Sequence, residues 1–391
     1  MSVEYRELTF DDAVTVQRLS GEAFGMPDEP PPAPDPDKWP RPGMRLWGAF
    51  DGGQLAAVLY VRDYHSWYHG REVRTAGIAG VSVVAEARGR GLLSGLFDIA
   101  LAAARADGHV ISTLFPTAPG IYRRLGYELI TGYDTVEIPT SSLASVRAPE
   151  GVSVRRATAA DFDTVRELYD AWAAAQNGPL TRRGPSFPAT AEDFIGAFTG
   201  VTLAEAGGRV VGYASWTRGQ GYDSTATIKV GDLIAVTPDA ARALWRMLGS
   251  FASVSGQIHV YTSGADIARL VLPGAPWHVV HTHDYMLSIL DVPGALTAIG
   301  YPAVSARLPF SVTGAGIDGS WTLEVTDGDP KVTDGGDGGP TFTAHGLALL
   351  YAGAQSTGNL RLAGQLTGPT DHDPLWDALL GTGQPHIRDY F

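Results

Sequence analysis

The sequence predicts a mixed α/β and α+β fold in which two copies of one strand–helix unit precede a smaller α+β region. A strand–cap–helix pattern recurs at an offset of 149 residues, and only the first copy contains a glycine-rich turn between a strand and an amphipathic helix. Alternating strand-like runs dominate the chain after residue 284. With 391 residues, 44% of them apolar, the chain exceeds one ordinary core. We therefore predict domains at residues 1–147, 148–284 and 285–391.

The repeat begins near the N-terminus, where residues 3–8 read as a strand and Thr9 occupies the N-cap position of a helix running towards Phe24. Six positions recur in the same context: Val3, Arg6, Thr9, Asp12, Val16 and Leu19 return as Val152, Arg155, Thr158, Asp161, Val165 and Leu168. This agreement predicts a duplicated domain.

The two copies differ in the loop that follows their central strand. In the first copy, residues 78–84 form a strand that leads into Arg88-Gly89-Arg90-Gly91 and then a helix. In the second copy, residues 233–236 lead through Thr237 into a helix with no glycine before it. We expect the first copy to carry the chemistry and the second to be a degenerate version of it.

The glycine-rich turn of the first copy has the features of an anion site. A turn that opens a helix presents unpaired backbone N–H groups at the positive end of the helix dipole. Gly89 and Gly91 permit close approach to a diphosphate, and Arg88 and Arg90 add positive charge. On these four residues alone, an ordinary turn with two solvated arginines is an equally good interpretation.

The composition excludes several classes of function. The 29 Lys and Arg against 42 Asp and Glu give a formal charge of −13, which disfavours nucleic acid and favours a cationic, polyamine-like partner. There are no cysteines, so disulfides, thiolate metal sites and a cysteine nucleophile are excluded. We find no export signal and no apolar run of about 18 residues, so we expect a cytoplasmic protein without membrane insertion.

The order of these features resembles the GNAT N-acetyltransferase superfamily. Strand residues 81–83, the loop, a helix, a second strand at 109–115 and the run Gly120 to Tyr127 match in spacing and in sequence. The resemblance implies acetyl-CoA as a substrate, with its diphosphate in the loop and its pantetheine arm on the preceding strand. The predicted coenzyme-binding residues are Val81, Ser82, Val83, Arg88, Gly89, Arg90, Gly91, Leu92, Leu93, Ser94, Thr117 and Ala118.

The same resemblance implies that Tyr122 is the acid that protonates the departing CoA thiolate. A phenol pKa of about 10 is close to that of a thiol, so the proton transfer would be nearly balanced. Because the chain has no cysteine, direct attack by the amine in a ternary complex is the simplest route. The alternative is a tyrosine that only packs at the start of a short helix.

Over the whole chain, the sequence resembles the Eis (enhanced intracellular survival) family. This family joins an active GNAT domain, a degenerate GNAT-like domain and a sterol-carrier-protein-like domain, and its members end in an aromatic residue whose carboxylate enters the active site. That position is Phe391 here, as a base or a cation holder. The resemblance implies acetylation of an aminoglycoside, polyamine or lysine side chain by a homo-oligomer, with a hexamer expected. The alternative function is a non-catalytic CoA sensor or lipid carrier.

Other residues are weaker candidates. His65 and His69 lie at i and i+4, but their segment reads as a strand or turn rather than a helix, so we expect no shared face. His281 and His283 alternate on a predicted strand but have no evident third ligand, so we predict no metal site. Candidate acids for a cationic acceptor are Asp28, Glu29, Asp35, Asp37 and Asp389. Candidate aromatic residues for a substrate cleft are Phe24, Trp39, Trp67 and Phe115.

Overall fold

The computed structural model describes residues 3–25, 32–187, 190–274, 276–336 and 338–391. The strands are β1 (Glu4–Glu7), β2 (Met44–Asp51), β3 (Gln54–Tyr68), β4 (Arg71–Val83), β5 (Ile111–Leu114), β6 (Glu128–Pro139), β7 (Ser153–Arg156), β8 (Gly200–Ala206), β9 (Arg209–Arg218), β10 (Thr227–Ala235), β11 (Gln257–Thr262), β12 (His278–Ile289), β13 (Ala306–Thr313), β14 (Gly319–Thr326), β15 (Asp329–Asp334), β16 (Thr341–Thr343) and β17 (Leu366–Thr367). The helices are α1 (Ala13–Phe24), α2 (Leu92–Ala106), α3 (Pro119–Arg123), α4 (Phe162–Ala173), α5 (Ala191–Gly196), α6 (Pro238–Gly249), α7 (Ala268–Val271), α8 (Val292–Ala298), α9 (Ala344–Tyr351), α10 (Thr357–Leu362) and α11 (Asp373–Leu380). Over these residues, no helix is long and apolar enough to cross a membrane.

The duplication is visible in the local chemistry of the two copies. Thr9 and Asp12 form a capping box on a short 3-10 turn that leads into α1, and Thr158 does the same before α4. Arg6 binds both carboxylate oxygens of Asp12, at 2.8 and 2.9 Å. The equivalent pair in the second copy, Arg155 and Asp161, repeats these contacts at 2.9 and 2.7 Å. The predicted repeat is therefore present at atomic detail.

The two copies form one continuous sheet of twelve strands, in the order β1-β2-β3-β4-β5-β12-β6-β11-β10-β9-β8-β7. Each copy contributes one strand to the other half, because β12 pairs with β5 and β6 pairs with β11. The first strand-like run after residue 284, which the sequence assigned to the third domain, is the end of β12; it belongs to this sheet and lies beside β5 in the first half.

Each half of the twelve-stranded sheet packs a helix against its strands. In the first half, α2 buries Leu96, Phe97 and Ala100, which keep the helical spacing read from the sequence. The third domain is a five-stranded sheet, in the order β15-β14-β13-β16-β17, covered by α8 to α11. Its interior is filled by aromatic residues, with Trp376 lying 5.4 Å from Phe310 and 5.3 Å from Phe342 between ring centroids.

After α11, the chain returns to the twelve-stranded sheet. The backbone N–H of Asn177 donates to the carbonyl of Gln384 at 3.0 Å, and the N–H of His386 donates to the carbonyl of Asn177 at 2.8 Å. We call residues 384–391 the C-terminal segment. Pairing with Asn177 directs this segment along the second half of the sheet towards the first.

Candidate active site

The first half of the sheet opens where β4 and β5 separate. These two strands pair in parallel only as far as Ile78 and Leu114, while β4 continues to Val83. A bulge in the pairing of β4 with β3, and Gly80 at a φ of +58°, bend this end of β4. The backbone of residues 79–83 consequently has no β5 partner. The predicted residues Val81, Ser82 and Val83 lie in this gap, where their peptide groups can bind an extended ligand.

The predicted loop lies directly beyond the gap. Gly89 and Gly91 both have φ of +76°, in the left-handed region that favours glycine, and α2 begins at Leu92. A side-chain carbon added at either glycine would have no neighbour within 4 Å, so the space above the loop is open. Among the described residues no side chain caps α2, so its first N–H groups are available to an anion.

The loop forms one wall of a cavity of about 500 Å³. All seven predicted loop residues line it, together with Val83, Ala87, Ile121, Arg124 and Leu125. Of the two predicted arginines, Arg90 pairs with Asp51 at 2.6 Å and Arg88 donates from Nε to the carbonyl of Val83 at 3.3 Å. Sequence reasoning missed Arg124 as a third cation facing the same cavity, although it lies in the run that identified Tyr122.

Tyr122 lies on α3, with only 6% of its surface exposed. Its ring contacts Phe97 and Tyr127 edge to face, at centroid distances of 6.0 and 6.4 Å. Burial raises the pKa of the Tyr122 phenol, and a hydrogen bond with Thr117 opposes that shift. The phenol is therefore protonated at neutral pH. Two predicted coenzyme residues flank it, because Thr117 is this hydrogen-bond partner and Ala118 occupies the N-cap position of α3.

The sheet separates two sides of this site. Ile78, Leu114 and Met286 pack on the side of α2 and Tyr122. Successive residues of a strand face opposite sides, so Gly77, Phe115 and Tyr285 face away from α2. After the roles that the sequence resemblance implies, we call the first face the coenzyme side and the second the acceptor side. The gap between β4 and β5 lies at the boundary of the two faces.

Phe391, predicted from the resemblance as a site residue, lies on the acceptor side. Its ring lies 5.0 Å from Tyr64, 5.4 Å from Phe115 and 6.3 Å from Tyr285 between centroids. Gly77 makes this approach possible, because a side-chain carbon there would lie 2.6 Å from the Tyr64 ring and 3.0 Å from the Phe391 ring. Phe391 thus packs within a cluster of aromatic rings on the acceptor side.

The candidate acids that the structure describes do not form a free cluster beside this site. Asp389 is bonded to Arg182, which lies 2.9 Å away, and Asp35 caps its own turn by accepting from the N–H of Asp37 at 3.1 Å. Asp28 and Glu29 lie outside the described residues. Sequence reasoning missed Arg182, because nothing in its local pattern distinguishes it from other surface-like arginines.

The histidine pairs have different surroundings. His281 and His283 share a face of β12, with ring centroids 4.2 Å apart, and His283 lies 4.7 Å from the Tyr390 ring. His69 contacts the third domain through the carbonyl of Tyr351 at 2.8 Å. That contact gives His69 a packing role between domains.

The aromatic candidates are likewise divided. Phe115 reaches the acceptor side, as described above, and Trp67 packs with the core of the second half. Trp39 lies 6.2 Å from Phe10, and Phe24 is 58% exposed at the end of α1. Both Trp39 and Phe24 line a separate cavity beside α1.

Comparison with protein families matches three parts of the chain. Residues 4–130 match a model described as an acetyltransferase (GNAT) domain, residues 178–285 match a second acetyltransferase (GNAT) domain, and residues 292–388 match a sterol carrier protein domain. The three matches follow the predicted order of two GNAT domains and one sterol-carrier-like domain.

Related proteins match over most of the chain. An uncharacterized N-acetyltransferase of Streptomyces griseus is 27% identical over 92% of both chains. The N-acetyltransferase Eis of Mycobacterium tuberculosis is 26% identical over 82% of this chain and 81% of its own. The crystal structure of a GCN5-related N-acetyltransferase from Kribbella flavida is 30% identical and covers 100% of this chain and 98% of its own, with a TM-score of 0.82.

Proposed function

The chain belongs to the GNAT acetyltransferases as an Eis-like member, and from that premise we propose that it transfers an acetyl group from acetyl-CoA to an amine by direct attack in a ternary complex. The observation that carries this proposal is the open glycine loop at the start of α2, beside the gap in the sheet. The second GNAT domain has no glycine in the equivalent loop, so we assign catalysis to the first.

The residues of the first domain fit acetyl-CoA. The amides at the start of α2 would bind the diphosphate, because Gly89 and Gly91 leave the approach open. Arg88, Arg90 and Arg124 would add charge around it. The peptide groups of residues 81–83 would hold the pantetheine arm in the gap, with Thr117 and Ala118 beside it. Acetyl-CoA would supply the activated acetyl group at the junction of the two sides.

In this proposal, Tyr122 holds a proton on its phenolic oxygen and donates it to the departing thiolate. Its raised pKa ensures that the phenol carries its proton at neutral pH, although the same shift makes the phenol a weaker acid towards the thiolate than at its ordinary pKa of about 10. General acid catalysis of this kind contributes about 10²- to 10⁴-fold to a rate. The packing of its ring against Phe97 fixes the direction of the oxygen and so supports a positioned acid.

On the acceptor side, aromatic rings would surround the amine and exclude water. Tyr64, Phe115 and Phe391 offer ring faces that favour a cationic group, and the carboxylate of Phe391 would hold that cation or accept its proton. We propose an aminoglycoside, a polyamine or a lysine side chain as the acceptor. The net charge of −13 supports a cationic molecule.

The lipid-carrier alternative rests on the third domain alone. Its interior is occupied by Trp376, Phe310 and Phe342, and this packing gives a bound lipid no support. We further propose a cytoplasmic homo-oligomer, with a hexamer as the expected state. Light scattering on the purified full chain would measure the oligomer directly.

The decisive experiment follows thiol release from acetyl-CoA with kanamycin, spermidine and a lysine-containing peptide. Tyr122→Phe should lower kcat by about 10²-fold or more and leave the acetyl-CoA Kd unchanged. Tyr222→Phe is the matched control, because Tyr222 is 83% exposed and remote from the site. Thiol release that Tyr122→Phe leaves unchanged would exclude Tyr122 as the acid.

Two variants separate the ring of Phe391 from its carboxylate. Phe391→Ala keeps a carboxylate at the same position in the chain, whereas a glycine added after residue 391 keeps the ring and moves the carboxylate. We expect the added glycine to lower kcat more than Phe391→Ala does. The reverse order would assign the role to the ring.

A further inference from the structure

The second GNAT domain holds a partly buried group of charges next to the C-terminal segment. Arg182 donates from Nη1 to one oxygen of Asp232 at 2.6 Å and from Nη2 to the other at 3.1 Å, and its Nε donates to Asp389 at 2.9 Å. The ring of Tyr169 lies 4.0 Å from the guanidinium carbon. One arginine therefore joins a strand of the second domain to the C-terminal segment.

The position of Asp232 in the sheet connects this group to the duplication. Pairing of β10 with β11 ends at Val230, two residues before Asp232, just as pairing of β4 with β5 ends at Ile78, two residues before Gly80. Both strands also carry a bulge at this level. The second domain thus keeps the separated strands of a GNAT fold. In this domain the carboxylate of Asp232 binds Arg182, at the strand position that Gly80 occupies beside the gap in the first domain.

Further contacts fix the same segment to the second domain. Arg388 donates to the carbonyl of Tyr261 at 2.9 Å and to the carboxylate of Asp266 at 3.2 Å. The carboxylate of Asp266 also accepts from Thr262 and from the N–H of Ala268. Arg388 is only 6% exposed, so these partners replace the water that its guanidinium loses on burial.

The loop that carries Arg182 is tied to the first domain as well. The N–H of Thr181 donates to the carbonyl of His65 at 2.8 Å, and the N–H of Trp67 donates to the carbonyl of Pro179 at 2.8 Å. Farther along this loop, the ring of Phe187 lies 5.4 Å from Tyr64, which in turn contacts Phe391. Arg182 therefore has a fixed place relative to the acceptor side.

A buried ion network is weak support for stability, because desolvation of the charges offsets much of their attraction. It does define one arrangement of the groups it joins. Asp389 is two residues from Phe391, a span of about 7 Å at most. Loss of the Arg182 contact would consequently displace Phe391 from the acceptor side.

We propose that the second GNAT domain serves as a clamp for the C-terminal segment, with Arg182 as the positioning residue that sets Phe391 against the acceptor side of the first domain. This inference rests on the proposed function, because it requires the amine to be acetylated at that side. It assigns a task to a domain whose own loop lacks the glycines of a coenzyme site.

The test compares Arg182→Met and Asp389→Asn with Arg155→Met in the full-length protein. Arg155 is the matched control, because it also joins two carboxylates of the second domain, Asp161 and Glu205, away from the segment. With spermidine, kanamycin and a lysine-containing peptide as probes, Arg182→Met should lower kcat by about 10²-fold, the effect of a displacement of about 1 Å at a reacting centre. The acetyl-CoA Kd should stay within twofold, and Arg155→Met should keep the wild-type kcat.

Two further measurements distinguish a clamp from a folding defect. Hydrogen exchange in Arg182→Met should accelerate in residues 384–391 and stay unchanged in α2. Arg182→Lys, which keeps the charge, should recover part of kcat. If Arg182→Met unfolds, Asp389→Asn, which preserves shape, decides the question by the same readouts.

Three outcomes would overturn the clamp. The first is an unchanged kcat in both Arg182→Met and Asp389→Asn. The second is a raised KM for one amine with kcat unchanged, which would make Arg182 a binding residue of the 290 Å³ cavity that it lines. The third is equal acceleration of exchange throughout the second domain. Absence of thiol release by the wild-type protein with every amine would instead refute the proposed function, which is a separate result.

Discussion

Replacing Gly91 with alanine should distinguish the stability lost to backbone strain from the affinity lost for the coenzyme. Gly91 has a φ of +76° and precedes α2. An alanine in this left-handed conformation costs roughly 1–2 kcal/mol, whatever the surrounding space. The added methyl group meets nothing within 4 Å in the free protein, so we expect no steric cost beyond that strain. Any loss of acetyl-CoA affinity beyond this strain must come from contacts with the ligand that binds above the loop.

The magnitude of the binding loss follows from the contacts proposed there. A hydrogen bond from a backbone amide to a charged oxygen contributes about 1.5–3 kcal/mol. Loss of one such bond would raise the Kd for acetyl-CoA by about 10- to 100-fold, at about 1.4 kcal/mol per factor of ten. Gly53→Ala supplies the control, because Gly53 has a φ of +81° and also has nothing within 4 Å, in a turn of the same domain.

The assay combines denaturant unfolding with calorimetric titration of acetyl-CoA and with turnover of S-acetylpantetheine, which lacks the diphosphate. Both alanine variants should lose similar stability, and only Gly91→Ala should lose acetyl-CoA affinity. Its kcat/KM for S-acetylpantetheine should match that of Gly53→Ala. Equal losses with acetyl-CoA and S-acetylpantetheine would refute a diphosphate site at this loop.

Three other predictions follow from the same geometry. Because burial raises the pKa of Tyr122, the phenol should be protonated and active at neutral pH, and kcat should fall only as the pH rises above 10. A fall of kcat near pH 7 that Tyr122→Phe abolishes would contradict the raised pKa. Gly77→Ala should lower the free energy of unfolding by about 1–3 kcal/mol and lower kcat with any amine, because its methyl group would lie 2.6 Å from the Tyr64 ring. An unchanged Kd for acetyl-CoA would show that the damage is confined to the acceptor side. The hydrogen bonds from Arg155 lower the pKa of Asp161 in the folded protein. This pair therefore stabilises the fold above about pH 4, and its contribution is lost as the pH falls below that value. The unfolding midpoint of Asp161→Asn should consequently change less between pH 5 and pH 3 than that of the wild type.

Local features were predictable because neighbouring residues determine them. The capping box at Thr9 and the ion pair of Arg6 recur at Thr158 and Arg155, and each depends on residues no more than six positions apart. The glycine loop is equally local, because positive φ values and a helix start are properties of a short segment. The predicted coenzyme residues 88–94 consequently line one cavity.

Contacts between distant segments were not predictable from these patterns. The placement of β12 beside β5 depends on exchange between the copies, and residues 278–289 carry no local signal for it. Arg182 is 207 positions from Asp389, so their pairing is a product of the assembled fold. For the same reason the sequence suggested Asp389 as a free acid, whereas its carboxylate is joined to a guanidinium.

The exchange of strands has a consequence for where catalysis can reside. On its outer edge β5 pairs with β12, and this strand supplies Tyr285 behind Phe115. Without residues 278–289, the last strand of the gap would be an unpaired edge, and the acceptor side would lose a wall. The glycine loop and Tyr122 lie within the first copy, whereas the acceptor side combines Tyr64 and Phe115 of the first copy with Tyr285 of the second copy and Phe391 of the C-terminal segment. The proposed function therefore assigns the coenzyme to the first copy alone and the acceptor side to both copies.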